Sequence, residues 1–145
     1  MSDEVMTDLQ SHFAKEQVVH LATAEGNQPR VRPVTLIHLD GRFYVITGAR
    51  GGVNAAKLAQ IRNNPKVEYY LTVKGEGSNG FIRGEGTATI VDEGETKVRL
   101  HGEIEWASSY FPTPDHPDYV LLEFHPKGYS YRKPGTADIV KLESK

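Results

Sequence analysis

The stretch Thr47-Gly-Ala-Arg-Gly-Gly-Val-Asn-Ala-Ala-Lys57 joins an apolar run to a helix-compatible segment through a glycine-rich loop, with cations at Arg50 and Lys57. Asn54 has the short acceptor side chain of an N-cap, so Ala55, Ala56 and Lys57 are expected as the first three helical residues. A lysine there opposes the partial positive charge of the helix terminus, at about 0.3–1 kcal/mol, unless an anion lies between them. With Gly51 and Gly52 letting the backbone approach closely, the segment reads as a seat for phosphate. The alternative is a solvated lysine on a helix surface.

A second cationic segment is Arg30-Val-Arg-Pro-Val-Thr-Leu36. In a strand, Arg30, Arg32, Val34 and Leu36 share one face, and the apolar members mark that face as inward. An inward arginine needs an anionic or dipolar partner, because an unpaired buried charge costs several kcal/mol, and phosphate is a natural one. The alternatives are Arg32 at the rim, Arg32 paired with Glu85, or a bulge at Pro33 that resets the faces.

The elements that must position these cations follow from periodicity and turn chemistry. Val5, Met6, Leu9 and Phe13 recur at helical spacing, predicting a helix from the N-terminus to about Glu16. Strands are expected over Gln17 to Ala24, Gln28 to Leu39 and Arg42 to Thr47, with turns at Glu25-Gly26-Asn27 and Asp40-Gly41. Leu58, Ala59 and Ile61 line one side of a second helix that Asn63-Asn64-Pro65 ends. Lys66 to Lys74 and Gly80 to Val91 form another strand pair. Asp92 and Glu95 suggest a capping box for a third helix, broken near Gly102 before Ile104 to Tyr110. After a proline-rich loop from Phe111 to Asp118, a last hairpin is expected from Tyr119 to His125 and Gly128 to Lys133, and then a loose polar tail over residues 134–145. Six or seven strands joined mostly by hairpins predict a mainly β fold, a closed or nearly closed antiparallel barrel with a few short flanking helices. A parallel nucleotide-binding sheet would need a crossover helix after nearly every strand.

Composition excludes several functions. The 145 residues carry a net charge of −2, so the chain is not a general nucleic-acid binder. It reads as one domain, with no internal repeat or dividing linker. No stretch approaches the ~20 apolar residues of a membrane span, and the acidic start is not a secretory signal. The absence of cysteine removes disulfides and thiolate chemistry and fits a cytoplasmic location. Gly75-Glu-Gly-Ser-Asn-Gly80 matches G-x-G-x-x-G, but a strand follows, which makes it a hairpin loop. The six histidines include no i, i+4 pair, so no metal site is assigned. No serine sits in a G-x-S-x-G elbow.

In combination, Arg32-Pro-Val, Asp40-Gly41, the strand end Ile46-Thr47, Lys57 with Asn64-Pro65-Lys-Val67, and Ile82-Arg-Gly-Glu-Gly86 resemble the pyridoxamine 5′-phosphate oxidase-like FMN-binding split barrels. Trp106, Tyr110-Phe-Pro112, Asp115 and Pro117-Asp-Tyr-Val-Leu-Leu122 are similar to the short, general-stress-protein branch of that superfamily. The resemblance covers residues 17–132 and implies a split barrel. It implies that Arg32 and Lys57 hold the FMN phosphate, that Pro33, Val34 and Thr35 run along the flavin, and that Ile46 and Thr47 also contact it. It further implies a homodimer with FMN at the interface, completed by the second subunit. Trp106, Tyr110 and Tyr131 are candidates for packing on the isoalloxazine, since an aromatic face suits a flat, electron-poor ring.

The sequence also departs from true pyridoxamine phosphate oxidases. Their substrate-phosphate lysine is replaced by Ile37, a glutamine near the flavin by Phe81, and their C-terminal tryptophan and arginine segment has no counterpart after Lys133. The expectation is therefore an FMN-dependent oxidoreductase or reductase working by hydride transfer on a small-molecule substrate or reductant. No residue is assigned as its acid or base. The alternatives are the same barrel with F420 or haem, and a non-enzymatic flavin-binding stress-response module.

Overall fold

A computed structural model of the chain describes residues 2–48 and 56–144. Their order is α1 (Ser2–Gln10), β1 (Glu16–Glu25), β2 (Gln28–Leu39), β3 (Arg42–Gly48), α2 (Ala56–Asn63), β4 (Lys66–Val73), β5 (Gly80–Ile90), α3 (Gly94–Glu103), α4 (Ala107–Tyr110), β6 (Tyr119–Arg132) and β7 (Val140–Glu143). The strands form one antiparallel sheet in the order β3-β2-β1-β4-β5-β6-β7, and a β3–β6 pairing closes six of them into a ring. The mainly β barrel expected from the hairpin pattern is the observed fold.

Alternation builds two cores on either side of the wall. The inward residues of β1 to β6, among them Val19, Leu36, Val45, Tyr69, Ile82 and Leu122, fill the barrel, and Leu58 and Ile61 of α2 pack with them. Outward residues of β2, β3 and β6 (Ile37, Tyr44, Ile46, Tyr119, Leu121) meet Leu100, Ile104, Ala107 and Phe111 in a second cluster under α3 and α4. The two-residue step of a strand sends its apolar residues to opposite cores. The Tyr119 hydroxyl donates to the Lys97 carbonyl at 2.8 Å, pinning α3 to β6. Burial pushes that phenol's pKa up to about 12.

The ring is unevenly sealed. β2 pairs with β1 along nearly its whole length, from Gln28 to Ile37. Its pairing with β3 is confined to Ile37–Leu39 beside the Asp40-Gly41 turn, where both residues have positive φ, 53° and 77°, as a type I′ turn requires. Beyond Tyr44, β3 leaves β2 and continues along β6 from Phe43 to Gly48. Among the described residues, the edge of β2 from Gln28 to Leu36 therefore has no strand partner on the β3 side.

Several expectations are corrected. α1 ends at Gln10 rather than near Glu16, and Phe13, counted as part of the helical stripe, packs from the following turn edge-on against Phe43 at 5.0 Å. The capping box at Asp92 and Glu95 does not form, since Glu93 is the N-cap and no side chain caps the helix. Gly102 stays inside α3, and the break comes at Ile104. The last hairpin is instead one 14-residue strand. Its expected turn is a bulge opposite Glu85/Gly86, where Pro126, which has no N–H to donate, is tolerated. Gly86 permits this close approach, because a Cβ there would meet the His125 carbonyl oxygen at 2.0 Å. The tail is not wholly loose, for β7 pairs with Gly128–Tyr131 of β6. The Asn54 N-cap and the Arg50 loop lie outside the described residues.

Candidate cofactor site

The register of β1 and β2 runs unbroken through Pro33, so the expected alternation of β2 holds and no bulge resets it. Arg32 is half-buried on the inward side. One of its Nη atoms donates to the buried Thr23 hydroxyl at 3.0 Å, and the other reaches the Gln60 amide oxygen at 3.5 Å. Both partners are neutral, and among the described residues no carboxylate lies within 4 Å of it, Glu85 included. Gln60 in turn donates to Glu25 at 3.0 Å. Arg30, expected inward, is exposed near the β1–β2 turn and pairs with Glu25 at 3.6 Å. Strand twist at the rim takes it into water, where its charge needs no buried partner.

Lys57 is the second residue of α2, and its side chain lies outside the described set. The helix itself is tied to Arg32 through Gln60, less than one turn further on. The two cations singled out in the sequence thus belong to segments that meet.

Three residues along β2, about 10 Å away on an extended strand, Thr35 lies on the outward face. There a groove of about 560 Å³ is lined by Thr35, Ile46, Gly48, Trp106, Tyr110 and Phe111. Trp106 is oriented from both ends, because its indole N–H donates to a Glu16 carboxylate oxygen at 2.6 Å and its ring meets Tyr110 edge-on at 5.9 Å. Tyr110 is 71% exposed, an unusual state for a large aromatic. Phe111 forms the floor against Tyr119 at 5.4 Å, and its carbonyl is bonded to His101 Nε2 at 2.6 Å. A Cβ on Gly48 would come within 3.3 Å of the Phe111 ring, so this strand end must stay small for the groove to keep its shape.

Of the residues expected at the site, Thr35, Ile46, Trp106 and Tyr110 line this groove. Arg32, Pro33 and Val34 lead to it along the open edge of β2, with Val34 packed into the barrel core and Pro33 exposed. Thr47 alternates to the opposite side of β3 from Ile46. Tyr131 lies elsewhere in the chain, 2% exposed, donating to Asp8 at 2.6 Å and within 2.9 Å of His12 Nε2. Burial, then Asp8, raises its pKa. Gly48 and Phe111 were missed because they become neighbours only when β3 and the α4 end close on β2, and Thr23 and Gln60 because they meet Arg32 only when β1 and α2 pack beside β2.

Among the described residues no cluster of three or more metal-ligating side chains occurs, and no helix is long and apolar enough to cross a membrane. Solved structures similar to this chain include general stress protein 26 from Bacillus anthracis str. Sterne (TM-score 0.68, 23% identity, covering 97% of this chain and 98% of that one). Another is a FAD-binding protein from Mesorhizobium loti (TM-score 0.66, 18% identity, 94% and 95% covered). A third is a heme binding protein from Mycobacterium smegmatis (TM-score 0.69, 14% identity, 89% of this chain and 53% of that one). At these identities the likeness is one of fold. No curated protein matches the chain. The family model described as pyridoxamine 5′-phosphate oxidase matches residues 5–133, and with this span of the barrel, its open β2 edge and its groove included, the chain belongs to the pyridoxamine 5′-phosphate oxidase family.

Proposed function

We propose that the protein binds FMN along the open edge of β2 and acts as an FMN-dependent oxidoreductase or reductase. The observation that carries this reading is the split between β2 and β3. Among the described residues it leaves the backbone of Arg32 to Leu36 without a ladder partner on one side, directly beside a groove with three aromatic rings. Unpaired strand N–H and C=O groups suit the alternating donors and acceptors on the edge of a flavin, and in a folded protein they need some partner. Arg32, whose partners are neutral, and the first turn of α2 suit a phosphate at one end. Trp106 and Tyr110 suit the ring system at the other.

When bound, the cofactor would supply hydride transfer, chemistry that no side chain of this protein offers. Arg32 and Lys57 would hold the phosphate, the β2 edge would set the ring's orientation, and Ile46 and Phe111 would keep water from one side of it. Haem suits the groove less well, since among its lining residues only Tyr110 has a side chain found as an axial ligand.

The site is completed in this reading by a second copy of the chain. The outward face of β1, β2 and β4 presents Val18 (63% exposed), Val31 (66%) and Tyr70 (40%), an apolar surface that a homodimer would cover. Light scattering at micromolar protein should give twice the 16.1 kDa of one chain, and a single-chain mass would remove this part of the reading. Cytoplasmic residence is proposed on the cysteine-free composition.

The test is an anaerobic titration of the protein with FMN, followed by NADH, NADPH or a dithiol. Saturable quenching of flavin fluorescence and bleaching by one of these reductants are expected. Binding with no reduction by any of them would leave a non-enzymatic flavin-binding module, and no binding would reject the proposal.

A further inference from the structure

Away from the groove, the outer face of β5 and β6 carries a hydroxyl, an imidazole and a carboxylate in sequence. Thr89 of β5 is directly opposite Glu123 of β6, and His125 is the next residue of β6 on that face. The Thr89 hydroxyl lies 2.9 Å from His125 Nε2. The other ring nitrogen, Nδ1, faces a Glu123 carboxylate oxygen at 4.0 Å. Arg42 of β3 reaches the same oxygen at 3.9 Å, so the carboxylate is held from the far side. Glu123 is half-buried, whereas Thr89 and His125 are open to solvent. The preceding outward residue of β6, Leu121, is buried under α3, and the three groups begin where that cover ends.

Each distance has a chemical meaning. With the ring protonated at Nδ1, on the carboxylate side, the hydroxyl donates to the Nε2 lone pair, and in that state imidazole can take the threonine proton. At 4.0 Å the carboxylate makes no hydrogen bond to a neutral ring, but it is within ion-pair reach of a charged one. Its attraction therefore grows as the proton arrives, which favours the transition state over the ground state. A hydroxyl beside a base that a third group orients is the arrangement of an activated nucleophile. The members stand on paired strands, which fix their spacing more firmly than a loop would.

We infer that Thr89 is an acyl-accepting nucleophile, with His125 as its base and Glu123 as a positioning residue, and that this site hydrolyses activated esters. In the first half of the reaction the bond from Thr89 Oγ1 to the acyl carbon forms and the hydroxyl proton passes to His125 Nε2. The ester C–O bond then breaks, and the leaving oxygen takes that proton. Water repeats the sequence on acyl-Thr89, releasing the carboxylic acid and restoring the hydroxyl. The β5–β6 ladder engages the backbone N–H groups beside Thr89, so little is left to stabilise an oxyanion, and a good leaving group is needed. This selects aryl esters over alkyl ones. The inference does not rest on FMN binding, since Glu123 lies about 13 Å along β6 from Tyr119 at the groove floor.

The test is incubation of the full-length protein with p-nitrophenyl acetate, following release of p-nitrophenol and, after acid quenching, the mass of each peptide. Saturable release faster than that by free imidazole at the same concentration is expected, with an acetyl group on Thr89. Thr89→Val should abolish that label and Thr89→Ser should restore it. His125→Gln should slow release by about 100-fold or more, as for loss of a general base. Glu123→Gln should lower kcat and leave KM little changed, a split that a purely structural role would not give, and urea midpoints check the fold of every variant. Release left unchanged by Thr89→Val would overturn the inference, as would acetyl groups found on lysines alone. Because the wild-type label reports directly, a variant that failed to fold would not remove the test.

Discussion

Arg32→Ala should separate the two flavins by their phosphate. Among the described residues, Arg32 bonds to the Thr23 hydroxyl at 3.0 Å and, marginally, to the Gln60 amide at 3.5 Å. Losing such neutral partners, and leaving the buried Thr23 hydroxyl unmatched, costs the fold about 1 kcal/mol. The same guanidinium against a phosphate makes a charge-assisted contact worth roughly 1.5–3 kcal/mol, which is about 10- to 150-fold in affinity. Riboflavin has no phosphate and should lose far less. Isothermal titration of wild type and variant with FMN and with riboflavin measures the ratio, and urea unfolding of the same samples checks the fold. Arg32→Gln, which keeps a donor for Thr23, should repeat the FMN loss at a smaller stability cost. Equal losses for both flavins would mean that Arg32 supports the barrel instead, and an unchanged FMN affinity would remove it from the site.

Tyr110→Ala should weaken FMN and riboflavin alike by about 2- to 12-fold, the worth of one aromatic contact of about 0.5–1.5 kcal/mol. Because the ring is 71% exposed, the urea midpoint should hardly move. His38, stacked on Phe43 at 4.6 Å, has its pKa lowered by burial. The unfolded chain therefore binds the extra proton more readily, and stability present above the ordinary histidine value of about 6.5 is lost as pH falls through the lower folded value. Urea midpoints between neutral and mildly acidic pH should fall for wild type and fall less for His38→Gln. Pyridoxamine phosphate and pyridoxine phosphate should not be turned over, because Ile37, where the oxidases carry a lysine, is 0% exposed in the apolar cluster under α3. Oxygen consumption at about 1 per second or more with either ester would contradict this.

The residues differ in how much of their placement the sequence carried. β2 was legible from Gln28 to Leu39 because its turns are glycine-marked at both ends and its apolar residues alternate. Arg32 and Thr35 could therefore be assigned to opposite faces before any fold was known. β6 was misread because Pro126-Lys127-Gly128 has turn composition, and only the pairing with β5 turns it into a bulge. The split between β2 and β3 left no local signal. It arises because β3 prefers β6 beyond Tyr44, a non-local choice made by the barrel as a whole. The aromatic candidates show the same limit, for Trp106 and Tyr131 look alike as apolar rings, yet one borders the groove and the other is sealed beside Asp8 and His12.

FMN occupancy is tested most directly by purifying the protein without added cofactor, denaturing it, and identifying the released small molecule by mass and absorbance. The structure's open β2 edge, cationic end and aromatic groove predict FMN, released in proportion to the chain. Release of F420 or of haem, or an empty protein that fails to take up FMN when it is supplied, would contradict the account.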